Sequence, residues 1–362
     1  MSAAVKATAI GQSTNDKLML FVSDIGKSYS GSPRAIYEYI CETGLASEFT
    51  IVWAFNKPEL FKNLGCKTVK LDSVEYFRIA LTAKYWITDV NIERGLKFKR
   101  PQTKYLNTWH GSTMKTLGND IHGRIYYDCS SIDWLCVNSE YDVSTFKRAF
   151  RIDEKKFIRT GLPKNDYLFV HRNDSSAVYK RKLGFPDDKR IILYAPTWRD
   201  SNDGGKSYTI APPISLDKWK EALSDRYVLV FRMHPLTLSA MGIVEDDFCR
   251  NYSGYQPLND LLLASDILIT DYSSIAFDYS ILKRPTLCFS YDEEDYRENR
   301  GLYIDLNSVY PLGTQQTEDD LLECIAELDK YGLNECPTIS GEYNEYGGDA
   351  TRMCCEYLLG KQ

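Results

Sequence analysis

This chain has few histidines and several missing signatures. Only four histidines occur in 362 residues, at 110, 122, 171 and 234, so each carries weight as a candidate proton carrier. No apolar run reaches about 18 residues, which gives no reason to expect a membrane-spanning helix. The ten cysteines are scattered and form no C-x-x-C pairs, so a zinc site is not expected. Several, such as Cys136 and Cys288, sit inside apolar runs and read as reduced core thiols in a cytosolic protein. There is no G-x-x-x-x-G-K-[ST] and no D-x-D, and the DEED run at 292–295 has no clear ligand geometry, so no metal is expected. The net charge of −6 argues against nucleic acid as the main partner. The first sixteen residues are small and polar, lack the apolar core of a signal peptide, and read as a flexible start.

What is present is an alternation of short apolar runs with longer amphipathic ones. Strands are expected at 17–23, 49–55, 85–89, 103–109, 133–139 and 156–161, with helices at 32–44, 73–84 and 140–150 between them. Polar residues gather around 163–176, and the alternation then resumes with strands at 190–196, 226–233, 266–271 and 284–290. This predicts two doubly wound, Rossmann-like α/β domains facing a cleft, over 17–165 and 166–362. "YWITD" (85–89) and "DILITD" (266–271) both end a strand in Ile-Thr-Asp, a short echo between the halves.

Ligands of such sheets bind at the carboxyl ends of the strands. In "DILITDYSSIAFDYSIL", Asp271 ends a strand and Ser273 and Ser274 open a helix, whose first N–H groups suit a phosphate or are simply capped by the serines. Asp271 would repel a phosphate and fits better as an acceptor for a hydroxyl or cation. In "FRMHP", Arg232 and His234 alternate with Phe231 and Met233, so they are expected on one face of the strand end. Arg199, in "YAPTWR", suits bidentate contact with phosphate, or is a surface residue. Arg297 and Arg300 lie three apart and share a helical face. In the first half, the loop "GKSYSGS" (26–32) offers Lys27 and Ser30 to an anion. His110 follows an apolar run and precedes Gly111, which permits a tight turn or close approach. It reads either as a cleft base or as a histidine satisfied by local backbone. In segment 93–104, Arg94, Lys97, Lys99, Arg100 and Lys104 face one acidic residue, Glu93; this suits an anionic lipid or acceptor, or a solvated loop.

Taken in order, "NTWHGSTMKTLG", "YAPTWR", "RMHP", "DILITDYSSIAFDY" and "YRENRGLYID" resemble the CDP-glycerol glycerophosphotransferase family, which includes the teichoic-acid primases and polymerases and their capsule-making relatives. "GKSYSGSPRAIYEYI" and "FNKPE" look like that family too, and the resemblance covers roughly 20–310. It implies a GT-B-like fold and no cofactor. It also implies transfer of a polyol phosphate, glycerol phosphate first, from CDP-glycerol or CDP-ribitol to an acceptor hydroxyl, releasing CMP. His110 matches the family's base; His234, Ser273, Ser274 and Arg300 match positions that hold the donor pyrophosphate. Arg199, Arg232 and Asp271 are added on the donor side, and Gly111, Ser112, Lys27 and Ser30 on the acceptor side. The implied acceptor is a lipid-linked or polymeric glycan, met by a cytoplasmic enzyme at the inner face of the membrane. "HGS" stands where many relatives have "HGT". The long N-terminal extension of the larger members is absent, which points to priming, single addition, or a capsule polymerase borrowing other domains. The competing readings are a GT-B glycosyltransferase using a nucleotide sugar and a non-catalytic module for an anionic polymer.

Overall fold

A computed structural model describes residues 11–123, 128–199 and 211–360. Most of the expected flexible start (residues 1–10) lies outside them. The chain forms two compact units. The first comprises the residues through Ser112, Leu117–Tyr167 and those from Glu342 on; the second comprises Thr113–Thr116 and Leu168–Gly341.

The first unit holds seven parallel strands among the described residues: β1 (Asn15–Val22), β2 (Thr50–Phe55), β3 (Lys67–Lys70), β4 (Ala83–Thr88), β5 (Lys104–Asn107), β6 (Trp134–Cys136) and β7 (Phe157–Ile158). Their order is β3-β2-β1-β4-β5-β6-β7, so the winding reverses between β1 and β4. Strand β1 shows why: Leu18, Leu20 and Val22 feed the core on one face, while Met19 and Phe21 feed the other. Both faces are apolar because both are covered by helices.

The second unit repeats the plan with β8 (Arg190–Tyr194), β9 (Tyr227–Phe231), β10 (Cys249–Asn251), β11 (Ile267–Thr270), β12 (Thr286–Phe289) and β13 (Thr314–Gln315), ordered β10-β9-β8-β11-β12-β13. Here the reversal falls between β8 and β11. Ile191 and Leu193 of β8 face one core, Ile192 and Tyr194 the other.

One expectation is corrected. The second domain does not run from 166 to 362, because the chain from Glu342 returns to the first unit. The reason is apolar: in the helix Ala350–Leu359, Cys354, Cys355 and Leu358 are buried against Met19, Ile36, Trp53 and Leu106. Asp166 anchors the return, accepting from Ala350 N (3.0 Å) and Thr351 N (2.7 Å). Gly161 marks the closest approach. Its φ is +75°, and a Cβ there would stand 2.5 Å from the Tyr346 carbonyl oxygen. Gly161→Ala is therefore expected to destabilise the protein by upwards of about 2 kcal/mol in denaturant unfolding. An unchanged midpoint would refute this docking.

Candidate active site

In the first unit the candidate residues gather where the winding reverses. Strand β5 ends at Asn107, whose Oδ1 accepts from Trp109 N (2.8 Å) and whose Nδ2 donates to the Val90 carbonyl (2.9 Å). The chain then turns sharply. Trp109 sits at φ 52°, a conformation costly for a bulky side chain and held here by ring packing. Its indole stacks on the His110 imidazole at 4.3 Å and leans on Phe146 and Phe150. His110 Nδ1 lies 2.9 Å from the Asp89 carbonyl oxygen. A carbonyl only accepts, so Nδ1 carries the proton and the lone pair resides on Nε2. The ring also borders an apolar cavity of about 210 Å³ lined by Val22, Ile25, Leu71, Val90 and Ile92.

The partner that orients His110 is Asp89, the first residue after β4, which no local pattern in the sequence ties to the histidine. Asp89 is 5% exposed, and its carboxyl accepts from Asp24 N in the loop after β1 (2.9 Å). Burial pushes this carboxyl up to about 7. In that loop Lys27 is exposed and makes no ion pair among the described residues, while Ser30 Oγ lies 2.7 Å from Ser28 Oγ. Gly111 adopts φ 155° beside His110. Ser112 is corrected: it is 1% exposed, donates to Asp142 Oδ2 (3.0 Å) and accepts from Asn138 Nδ2 (3.0 Å), so its hydroxyl is committed to the core.

In the second unit, Asp271 ends β11 beside the loop after β8. It is 1% exposed; Oδ1 accepts from Thr197 N (2.9 Å) and Tyr272 N (2.6 Å), and Oδ2 from Arg199 (2.8 Å). Arg199 also grips Asp292 through Nε (2.6 Å) and Nη2 (2.9 Å) and donates to the Thr197 carbonyl (2.8 Å). The rings of Tyr272, Tyr291 and Tyr296 surround its guanidinium at 5.0, 5.3 and 5.2 Å. Four of its five donors are used. The expectation that Arg199 and Asp271 touch the donor directly gives way to another: they lock three loops together.

Strand β9 stops at Phe231, so Arg232 and His234 do not share a strand face as the pleat predicted. Arg232 is half-buried, and the loss of water around it pulls its guanidinium below the usual arginine range. Its Nη1 donates to the Tyr255 and Tyr252 carbonyls (2.8 and 3.3 Å), and its Nε and Nη2 have no partner among the described residues. His234 caps the helix Pro235–Met241: Nδ1 accepts from Leu236 N (3.3 Å), and the ring packs on Trp198 at 4.0 Å. A neutral His234 in this arrangement carries its proton on Nε2, which makes it a donor to phosphate oxygen and not a base. Ser273 Oγ accepts weakly from Ile275 N (3.4 Å), and the Ser274 hydroxyl has no partner among the described residues.

Arg300 ends the helix Glu293–Arg300, and its guanidinium has no partner among the described residues; Arg297 instead pairs with Glu293 (2.8 Å). The residues after Arg300 pair with Thr113–Thr116 in a short antiparallel ribbon. Tyr303 N donates to the Met114 carbonyl (2.8 Å), Thr116 N to the Gly301 carbonyl (3.1 Å), and the Thr116 hydroxyl to the Arg300 carbonyl.

The basic segment 93–104 is largely paired within the first unit. Arg94 binds Asp72, Lys97 binds Asp128 (2.8 Å), Lys99 binds Asp133 (3.0 Å) and Lys104 donates to the Leu358 carbonyl (3.0 Å). That removes most of the open positive face the sequence pointed to. Among the described residues no helix is long and apolar enough to cross a membrane, and no three His, Cys, Asp or Glu side chains are placed to hold a metal ion.

Residues 4–349 match the family described as CDP-Glycerol:Poly(glycerophosphate) glycerophosphotransferase. This chain belongs to that family. It is 34% identical to the teichoic acid poly(glycerol phosphate) polymerase of Bacillus spizizenii, over 96% of this chain and 93% of that one. It is likewise 34% identical to the teichoic acid glycerol-phosphate transferase of Staphylococcus aureus, over 95% and 93%. The solved wall teichoic acid polymerase TagF superposes with a TM-score of 0.81 at 28% identity, covering 98% of this chain and 90% of that one. The GT-B-like, two-sheet fold and the glycerophosphotransferase class are thereby established.

Proposed function

We propose that this CDP-glycerol glycerophosphotransferase extends a teichoic-acid-type acceptor, with His110 as the base. The carrying observation is the bond from His110 Nδ1 to the Asp89 carbonyl, which makes Nε2 the basic atom of the ring. The acceptor oxygen then attacks the glycerol-bearing phosphorus of CDP-glycerol. The bond from that phosphorus to the bridging oxygen breaks, and CMP leaves with the electron pair. Such a transfer needs alignment and charge neutralisation more than covalent help. Arg232, Arg300 and the Nε2–H of His234 supply the neutralisation; Ser273 and Ser274 sit at the same strand ends. Lys27 and Ser30 face the acceptor phosphates. Arg199 and Asp271 support the donor loops from beneath.

The acceptor is a glycerol phosphate chain end, carried on lipid at the cytoplasmic face. Given the pairing of segment 93–104, membrane contact through that segment is not part of the reading. The test is CMP release with CDP-glycerol, CDP-ribitol and UDP-sugars, each with a glycerol-phosphate-primed acceptor. Turnover is expected with CDP-glycerol. Turnover with UDP-sugars alone would overturn the reading. His234→Ala is expected to raise KM for CDP-glycerol by about tenfold or more, consistent with the loss of a charge-assisted phosphate contact. An unchanged KM would remove His234 from the donor site.

A further inference from the structure

The Ile-Thr-Asp echo has a structural meaning. Asp89 follows β4, and Asp271 follows β11; each stands at the carboxyl end of the strand just across the winding reversal of its own sheet. Each uses its Oδ1 to accept one backbone N–H from the loop after the neighbouring strand, Asp24 N in one case and Thr197 N in the other, both at 2.9 Å. The two aspartates do the same job, but their surroundings differ. Asp271 is neutralised by Arg199. Asp89 has no arginine in that place. The charged groups facing its carboxyl are Asp24 in the loop after β1 and Lys164 in the turn Pro163–Asn165, while the His110 ring on the loop after β5 meets its backbone carbonyl. The other carboxyl oxygen lies 3.1 Å from where a Cβ of Gly31 would stand, so any side chain at position 31 would crowd the carboxyl.

We propose that Asp89 is the positioning residue of the acceptor-side site: its carbonyl selects the Nδ1–H tautomer of His110, and its carboxylate, in no ion pair among the described residues, holds the loop after β1 while favouring the protonated ring. This rests on His110 being the base. A negative charge on the residue that holds the ring stabilises the imidazolium formed as the hydroxyl proton is taken. Lys164 acts on that carboxylate only through its field and makes no ion pair with it, and burial so weakly compensated sacrifices stability. Because the folded protein holds the Asp89 proton more tightly than the unfolded chain, stability contributed at low pH is lost as pH rises from about 4 to about 7.

The experiment compares Asp89→Asn with the full wild-type chain by imidazole nitrogen NMR, melting curves and pH–rate profiles. Wild-type His110 is expected as the Nδ1–H tautomer, titrating in two steps coupled to Asp89. In D89N the acid limb of kcat/KM is expected to move down by about one pH unit, with kcat reduced about tenfold or more and KM for CDP-glycerol little changed. The melting difference between D89N and wild type is expected to shift in favour of D89N from pH 5 to pH 8. An unmoved acid limb, or a melting difference flat across that range, would overturn the proposal. If D89N fails to fold, the wild-type titration decides: a single-step His110 curve overturns it. The NMR readout needs no turnover, so it separates failure of this proposal from failure of the proposed reaction.

Discussion

His110→Ala is expected to reduce kcat for CMP release by about 10²–10⁴-fold, the usual yield of a positioned general base. Nδ1 is committed to the Asp89 carbonyl at 2.9 Å, and the stacked Trp109 ring fixes the plane, so Nε2 is the basic atom. KM for CDP-glycerol should move little. His110→Asn should not rescue, because an amide cannot take the proton. The check is steady-state kinetics beside a melting curve. Near-wild-type turnover in a folded His110→Ala protein would remove the base from the mechanism.

Arg199→Ala is expected to be the most damaging change to stability. It removes the only cation held by Asp271 and Asp292 among the described residues, leaving Asp271, at 1% exposure, as an uncompensated buried charge. Breaking a buried pair by removing one partner typically costs about 3–5 kcal/mol. For units of this size that lowers Tm by roughly 10 °C or more. Arg199→Lys should rescue poorly, since a single ammonium cannot span Asp271, Asp292 and the Thr197 carbonyl together. Thermal unfolding checks it, and an unaltered Tm would show that the node is not structural. Where the variant folds, KM for CDP-glycerol should rise, since Asp271 precedes the serines and Asp292 begins the segment leading to Arg300.

The central strands were legible because burial on both faces forces continuous apolar runs: "RIILY" and "YVLVF" could hardly be anything else. The short outer strands were not. β3, "KTVK", has one buried residue, and β13 is only Thr-Gln; edge pairing there depends on neighbours, not on local pattern. The positions of His110, His234 and Arg300 followed from the family resemblance. What they touch did not. Ser112 and Arg199 looked like ligands because hydroxyl and guanidinium groups advertise chemistry wherever they stand; only the fold shows that core partners already hold them. Asp89 carried a visible signal in the Ile-Thr-Asp echo, but a three-residue match gains meaning only once both aspartates stand beside a winding reversal. The return of the last helix was invisible for a different reason. An amphipathic helix records that it packs, not which sheet it packs on.

That return also sets an order of assembly on the ribosome. The first unit is interrupted, and its helix Ala350–Leu359 is made after the second unit, almost all of which lies in one stretch, Leu168–Gly341. The later-encoded unit can therefore finish first, while the earlier one waits with the Met19 and Trp53 face uncovered until Cys354, Cys355 and Leu358 emerge. A nascent chain stalled short of Glu342 would hold a completed second unit and a first sheet still open to chaperones.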